Sequence, residues 1–213
     1  MILVTGATGQ FGTSAIDFLL KKGISANTIV ALVREEEKAA ALKDKGVKVR
    51  MGDYDDYASL LNAFTGVEKV LFISGSDIAN RLSQHQNTIN AAKEAGVQHL
   101  IYTSFQRSNE TETSPLWLVA QSHIQTEKWL KESGMKYTLL RNNLYMDFLP
   151  AFIGENVLET GGIYLPAGQG KVSAVLRSEM AEAAANILNT NGHEGKEYNF
   201  SNTEAVSYPE MAQ

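Results

Sequence analysis

The chain has 213 residues, a formal net charge of -5 and no cysteine. This acidic balance, with no basic stripe, argues against direct nucleic-acid binding, because phosphates are held by clustered Lys and Arg. The missing thiols remove disulfides, thiolate nucleophiles and Cys-based metal sites, and His85, His99, His123 and His193 share no metal-ligand spacing, so no metal is expected.

Met1 runs directly into the apolar Ile2, Leu3 and Val4, with no charged leader or cleavage site, and no apolar run is long enough for a membrane span. A cytoplasmic protein without membrane contact is the expectation. Six β-branched runs follow along the chain: ILVT (2–5), TIVALV (28–33), VKVRM (47–51), KVLFIS (69–74), HLIYTS (99–104) and KYTLLR (136–141). Helix-length stretches at 10–23, 36–45, 57–64, 78–95 and 115–133 separate them. In the fourth of these, Ile78, Leu82, Ile89 and Ala92 form an apolar stripe at helical spacing.

Gly23, Gly46, Gly66, Gly96 and Gly134 each stand just before a new strand, where a helix needs a left-handed C-cap. Alternating strands and helices define an α/β fold of the Rossmann type, a doubly wound parallel sheet whose ligand lies beyond the strand carboxyl ends. The nearly continuous apolar strands suit a sheet covered on both faces. Residues 1–141 form this dinucleotide-binding core. Residues 142–213 form a small substrate-side subdomain. In it NNLYMDFLPAFI reads as a loop entering a helix, GGIYLPAG as an extended piece, SEMAEAAANILN as a helix from near Ser178, and KEYNFS as a last strand. Ser207, Pro209 and Glu210 read as a helix start with little helix behind it, so the subdomain is expected to be incomplete at its C-terminus.

The chemistry begins in TGATGQFG, which follows the first strand and opens the first helix. Gly6 allows the tight turn, Gly9 leaves space for phosphates, and Gly12 lets helix and strand pack closely, so the helix N-terminus can receive a dinucleotide pyrophosphate. The spacing is GxxGxxG rather than GxGxxG, but the strand-turn-helix context is the one the motif requires. At the end of the second strand an acidic residue would bond the ribose diol of NAD, and an Arg the 2′-phosphate of NADP. Val33 is followed here by Arg34, which favours NADP(H) over NAD(H). Glu35, Glu36 and Glu37 read as an acidic first helical turn, although Glu35 leaves NADH open.

TGATGQFG, VALVR, GDYDD, AAKEAGVQHLIYTS and SHIQTEKWLKESGMKYTLLRNNLY together resemble the NmrA-like atypical short-chain dehydrogenase/reductases, and among them the NADPH-dependent quinone oxidoreductases. The resemblance runs over essentially the whole chain. It implies that Thr8, Gly9, Gln10 and Phe11 line the pyrophosphate loop, that Arg34 meets the 2′-phosphate, and that Asp53 and Tyr54 border the adenine. Ser74, Gly75 and Ser76 would border the ribose and nicotinamide, followed by Thr103, Ser104 and Phe105 after the fifth strand and Asn142, Asn143, Leu144 and Tyr145 after the sixth. Cofactor contacts are expected from Thr103, Ser104 and Asn142, and acceptor contacts from Phe105, Asn143 and Tyr145.

The superfamily's Tyr-x-x-x-Lys pair is absent, since Val119 and His123 stand at the corresponding positions. Quinone reduction tolerates that loss: the oxygen receiving electrons becomes phenolic, with a pKa of about 10, and water or a weak donor can protonate it. Proximity to the nicotinamide then supplies most of the acceleration. Tyr145 and His123 are the donor candidates, His123 having core packing and Tyr145 an aromatic wall as the plainer role. The resulting expectation is hydride transfer from NADPH to a small quinone or similar aromatic acceptor. The alternative is a non-catalytic NADP(H)-binding redox sensor acting through a protein partner. A homodimer stays open.

Overall fold

In the computed structural model, which describes residues 1–154 and 156–211, the six apolar runs pair side by side. They form β1 (Ile2–Val4), β2 (Ile29–Val33), β3 (Lys48–Met51), β4 (Lys69–Phe72), β5 (His99–Phe105) and β6 (Lys136–Asn142). Helices α1 (Gln10–Lys21), α2 (Ala40–Asp44), α3 (Tyr57–Phe64), α4 (Arg81–Glu94) and α5 (Trp117–Glu132) connect them. Each of the five cap glycines has positive φ, from 71° at Gly66 to 84° at Gly23, which only glycine adopts freely.

Farther on lie α6 (Leu149–Ile153), α7 (Val157–Thr160), β7 (Lys171–Val172), α8 (Arg177–Asn189), β8 (Lys196–Phe200), β9 (Val206–Ser207) and α9 (Tyr208–Met211). The main sheet has the order β3-β2-β1-β4-β5-β6-β8, parallel throughout, while β7 and β9 pair antiparallel beside it. The strand order reverses between β1 and β4, and that switch point opens a crevice at the carboxyl edge.

Successive strand residues face opposite layers. Val4, Ala31, Leu71, Ile101 and Leu140 meet α1 and α8; Leu3, Leu32, Phe72, Leu100 and Leu139 meet α3, α4 and α5. Residues after Arg141 are therefore divided: α8 packs on α1 and β8 extends the sheet through β6, whereas the β7-β9 pair stands apart.

One local expectation is corrected. Ile78 and Leu82 are each 41% exposed; Asp77 Oδ1 accepts from the N–H groups of Ala79 and Asn80 and holds a turn that keeps Ile78 outside α4, while Leu82 stands on the helix's exposed face. The buried stripe is then Arg81, Gln84, His85, Thr88, Ile89 and Ala92. GGIYLPAG joins no strand among the described residues, and its Tyr164 is fully exposed. By contrast, Ser207 and Glu210 do start a helix: Ser207 Oγ accepts from Glu210 N–H (3.3 Å), and the Glu210 carboxylate from Ser207 N–H (2.7 Å).

Close packing of α1 on β1 depends on Gly12, where a Cβ would stand 2.3 Å from the Gly6 carbonyl oxygen and 2.8 Å from Ala7 Cα. Both neighbours are backbone and cannot rotate away. Gly12→Ala is expected to cost about 3 kcal/mol, the upper end of overpacking. Gly23→Ala, strained in φ but with open space around it, should cost only about 1 kcal/mol. Denaturant unfolding of the two variants would contradict this account if their losses were equal or reversed.

Candidate functional site

The first turn of α1 begins at Gly9, whose N–H is bonded to the Gly6 carbonyl (3.0 Å) and whose carbonyl accepts from Thr13 N–H (2.9 Å). The N–H groups of Gln10, Phe11 and Gly12 precede that first helical bond and carry the positive end of the helix dipole. No side chain caps this helix, so its donors stay available to an anion. A Cβ at Gly9 would sit 3.3 Å from Gly6 O, within the same cradle.

Beside the cradle opens a cleft of about 330 Å³, walled by Gly6, Thr8, Gly9, Arg34, Asp53, Tyr54 and the Ser74–Ser76 loop. Nine of the sequence-derived cofactor residues therefore meet in one crevice, drawn from the ends of β1, β2, β3 and β4. Leu32, Gly52, Ile73 and Gln84 also line it. Gly52 carried a readable signal, a glycine directly after the third strand; there a Cβ would meet Leu32 Cδ1 at 2.7 Å. Gln84 carried none.

Arg34 is exposed in the cleft wall. Its acidic neighbours are engaged elsewhere: Glu35 pairs with Lys38 (2.7 Å) and Glu36 with Lys43. These bonds and the charges of the lysines lower both carboxylate pKa values. Tyr54 forms a wall by its ring, packed edge-on against Phe72 with centroids 5.5 Å apart. Its hydroxyl is spent on Thr5 and on the Ile73 carbonyl (2.7 Å).

The residues assigned after the fifth and sixth strands have other partners. Thr103 Oγ1 accepts from Ser74 N–H (2.9 Å), and Ser104 bonds Glu127. Asn143 Nδ2 donates to Gln106 (2.9 Å), and Asn143 Oδ1 accepts from Leu144 N–H (2.7 Å). Asn142 differs: its Nδ2 donates to the Tyr145 hydroxyl (3.2 Å), while its Oδ1 is buried without a partner. Phe11 lies 6.5 Å from Tyr145, ring to ring, and Gln10 bonds Arg177, whose guanidinium stacks on Tyr145 at 5.0 Å. Burial raises the Tyr145 pKa, keeping its hydroxyl protonated at neutral pH.

His123 is buried, and its Nδ1 is hydrogen-bonded to the Tyr102 hydroxyl (2.6 Å). Burial, helped by the charges of Arg81 and Arg107, pushes its pKa down to about 3, so the imidazole is neutral in the fold. Its ring lies 6.0 Å from that of Phe105. Beneath the site Glu127 receives two parallel bonds from Arg107 (both 2.9 Å) and two from Arg141 (2.8 and 3.4 Å). Burial alone would raise the Glu127 pKa; the bonds from Arg107, Arg141 and Ser104 outweigh it and hold it at about 2. Arg107 also donates to the Phe105 carbonyl (2.8 Å), which ties the loop after β5 to α5.

A parallel sheet in this order, an uncapped helix N-terminus over a glycine cradle and a cation at the end of the second strand define a Rossmann-type dinucleotide-binding domain. The chain belongs to the NmrA-like family, whose model matches residues 1–213. It is 45% identical over 212 residues to quinone oxidoreductase 2 of Escherichia coli, covering 100% of this chain and 72% of that protein. The crystal structure of the E. coli NADPH-dependent quinone oxidoreductase with NADPH superposes with a TM-score of 0.86 at 45% identity, over 97% of this chain and 71% of that one. Citrobacter sp. triphenylmethane reductase with NADP(H) gives 0.90 at 44% identity, over 99% and 73%.

The buried ionisable groups set the pH dependence of stability. His99 and His123 have folded pKa values depressed to about 4 and about 3, so the unfolded chain binds more protons once pH falls below the usual histidine value of about 6.5. Stability should decline from there downward, and further as Glu127 passes from its unfolded range toward about 2. Glu127→Gln should lose about 1.5–3 kcal/mol at pH 7, because the bonds from Arg107 and Arg141 lose their charged acceptor while Glu110 and Glu197 still pair with those arginines. That gap should narrow at pH 3; urea unfolding at the two pH values measures it, and an unchanged gap would contradict the assignment.

Proposed function

We propose that this protein is an NADPH-dependent oxidoreductase that reduces quinones or similar aromatic acceptors. The observation that carries the reading is Arg34: a guanidinium in the cleft wall at the end of β2, with Glu35 and Glu36 paired to Lys38 and Lys43. The E. coli relative is a quinone oxidoreductase and the Citrobacter one a triphenylmethane reductase, and both were crystallised with NADPH or NADP(H). Their aromatic acceptors support the same class here.

The cofactor fits the residues present. The N–H groups at the start of α1 and the Gly6-Gly9 cradle would hold the pyrophosphate, with Thr8 and Gln10 beside it. Arg34 would take the 2′-phosphate, and Asp53 and the Tyr54 ring would border the adenine. Ser74, Gly75 and Ser76 would wall the ribose side. When bound, the cofactor supplies a hydride from its nicotinamide.

The chain's own contribution is placement and proton supply. Tyr145 accepts a bond from Asn142 and so keeps its own proton free to donate toward an acceptor oxygen. Its raised pKa makes it a hydrogen-bond donor rather than a base. His123, neutral and committed to Tyr102, stays in the core and spares the chemistry. The segment after Asn142, with Tyr145, would border the acceptor.

Purified protein with NADPH and 1,4-benzoquinone should show saturable loss of nicotinamide absorbance above a protein-free control. NADPH binding without turnover would return the redox-sensor reading. Arg34→Ala should weaken NADPH about 10- to 100-fold, the loss of a charge-assisted contact, and NADH by less than about 3-fold. Equal losses for the two cofactors would remove Arg34 from the 2′-phosphate.

A further inference from the structure

The Ser74–Ser76 loop borders the cleft but has no regular structure of its own. Three of its backbone groups are nevertheless gripped by side chains from behind. Ser74 N–H donates to Thr103 Oγ1 (2.9 Å), Gly75 N–H to His85 Nε2 (3.2 Å), and Arg81 Nε donates to the Gly75 carbonyl (2.8 Å). Arg81 and His85 stand one turn apart on α4, so one residue of the loop is held at both its N–H and its C=O by an i, i+4 pair. A Cβ at Gly75 would stand 2.9 Å from Gln84 Oε1, so the peptide also lies against α4.

The grip is itself braced. Because Nε2 of His85 accepts, Nδ1 carries the proton and donates it to Thr126 Oγ1 (2.8 Å), whose own hydroxyl goes to the Ser122 carbonyl (2.6 Å). Phe72 from β4, Tyr102 from β5 and His123 from α5 close around the ring at centroid distances of 4.8, 5.5 and 6.3 Å. Arg81 is the charged group that acts on it, and burial together with His123 and Arg81 holds the His85 pKa well below the ordinary value, preserving the acceptor. Arg81 is itself buried and reaches Ser122 Oγ (3.4 Å). Neither Arg81 nor His85 lines the cleft.

We propose that Arg81 and His85 are positioning residues for the cofactor: they clamp the Gly75 peptide so that the Ser74–Ser76 loop presents one fixed wall to the dinucleotide. The proposal rests on the cofactor occupying this cleft, as argued above. A preformed wall spares the ordering cost that a free loop would incur on binding. The clamp therefore acts on affinity and leaves the reacting atoms alone, whereas a purely structural network would affect stability without selectively weakening NADPH.

The test is an NADPH titration with steady-state kinetics on wild type, His85→Leu, His85→Gln and Arg81→Met. His85→Leu and Arg81→Met should each raise the NADPH Kd about 3- to 10-fold, the equivalent of one lost hydrogen bond, with kcat at saturating NADPH within about 2-fold of wild type. His85→Gln, whose amide oxygen can stand near the place of Nε2, should recover most of the affinity. Unchanged Kd in folded His85→Leu and Arg81→Met, a fall in kcat with KM unmoved, or Gln binding no better than Leu would each overturn the clamp. Should His85→Leu not fold, Arg81→Met and His85→Gln decide by the same criteria. Wild type that fails to bind NADPH would overturn the cofactor reading and the clamp with it, an outcome distinct from normal wild-type binding with unaffected variants.

Discussion

The approach of α1 to the β1 turn, permitted by the missing side chain at Gly12, is the contact on which the rest of the site depends. With a Cβ there only 2.3 Å from the Gly6 oxygen, any other residue would push the helix off its seat. Seated, α1 directs its uncapped N–H groups over the carboxyl end of the central strand β1, at the point where strand order reverses. The same placement lets α8 pack across α1 through Met180, Ala181, Ala184 and Ala185, closing one face of the sheet. Anion-binding geometry and core packing are thus one arrangement.

The two faces of the sheet handle polarity differently. Toward α1 and α8 the middle of the layer is apolar, and the buried His99, Thr138 and Asn142 lie on that face as well. Toward α4 and α5 the core becomes polar near the site, where Arg81, His85, Tyr102, His123 and Thr126 are buried together. A buried polar group is tolerable only when its donors and acceptors are met. Here the partners include the backbone of the cleft loop, so satisfying the core also shapes the site. Glu127 has the same double character: its carboxylate is held ionised by Arg107 and Arg141, and Arg107 in turn holds the Phe105 carbonyl of the loop beyond β5.

Much of the fold was legible because it rests on local chemistry. Strand runs, the five positive-φ glycines and the Ser207-Glu210 capping pair depend on periodicity and on steric rules that act over a few residues. Of the cleft residues, Gly6, Gly9 and Arg34 were legible for a related reason, since strand carboxyl ends are where such a sheet exposes its ligand site, whereas Thr8, Asp53, Tyr54 and Ser74–Ser76 came from the family resemblance. Ile78 and Leu82 misled because apolar spacing cannot show that Asp77 keeps Ile78 outside the helix or that Leu82 stands on its exposed face.

By itself the sequence determined the fold class, the order of its elements, the glycine cradle, the cation after β2 and the loss of the Tyr-x-x-x-Lys pair. Each of these is written in residue type and short spacing. Only the tertiary structure decided which polar side chains are free and which are spent. Glu35 and Glu36 are bound to lysines, Ser104 to Glu127 and Asn143 to Gln106, while Asn142 retains an unpartnered oxygen. Only the tertiary structure, too, brought Arg81 and His85 to the back of the Gly75 peptide. A hydrogen bond depends on distances of a few ångströms between groups far apart in the chain, and no local pattern encodes those distances.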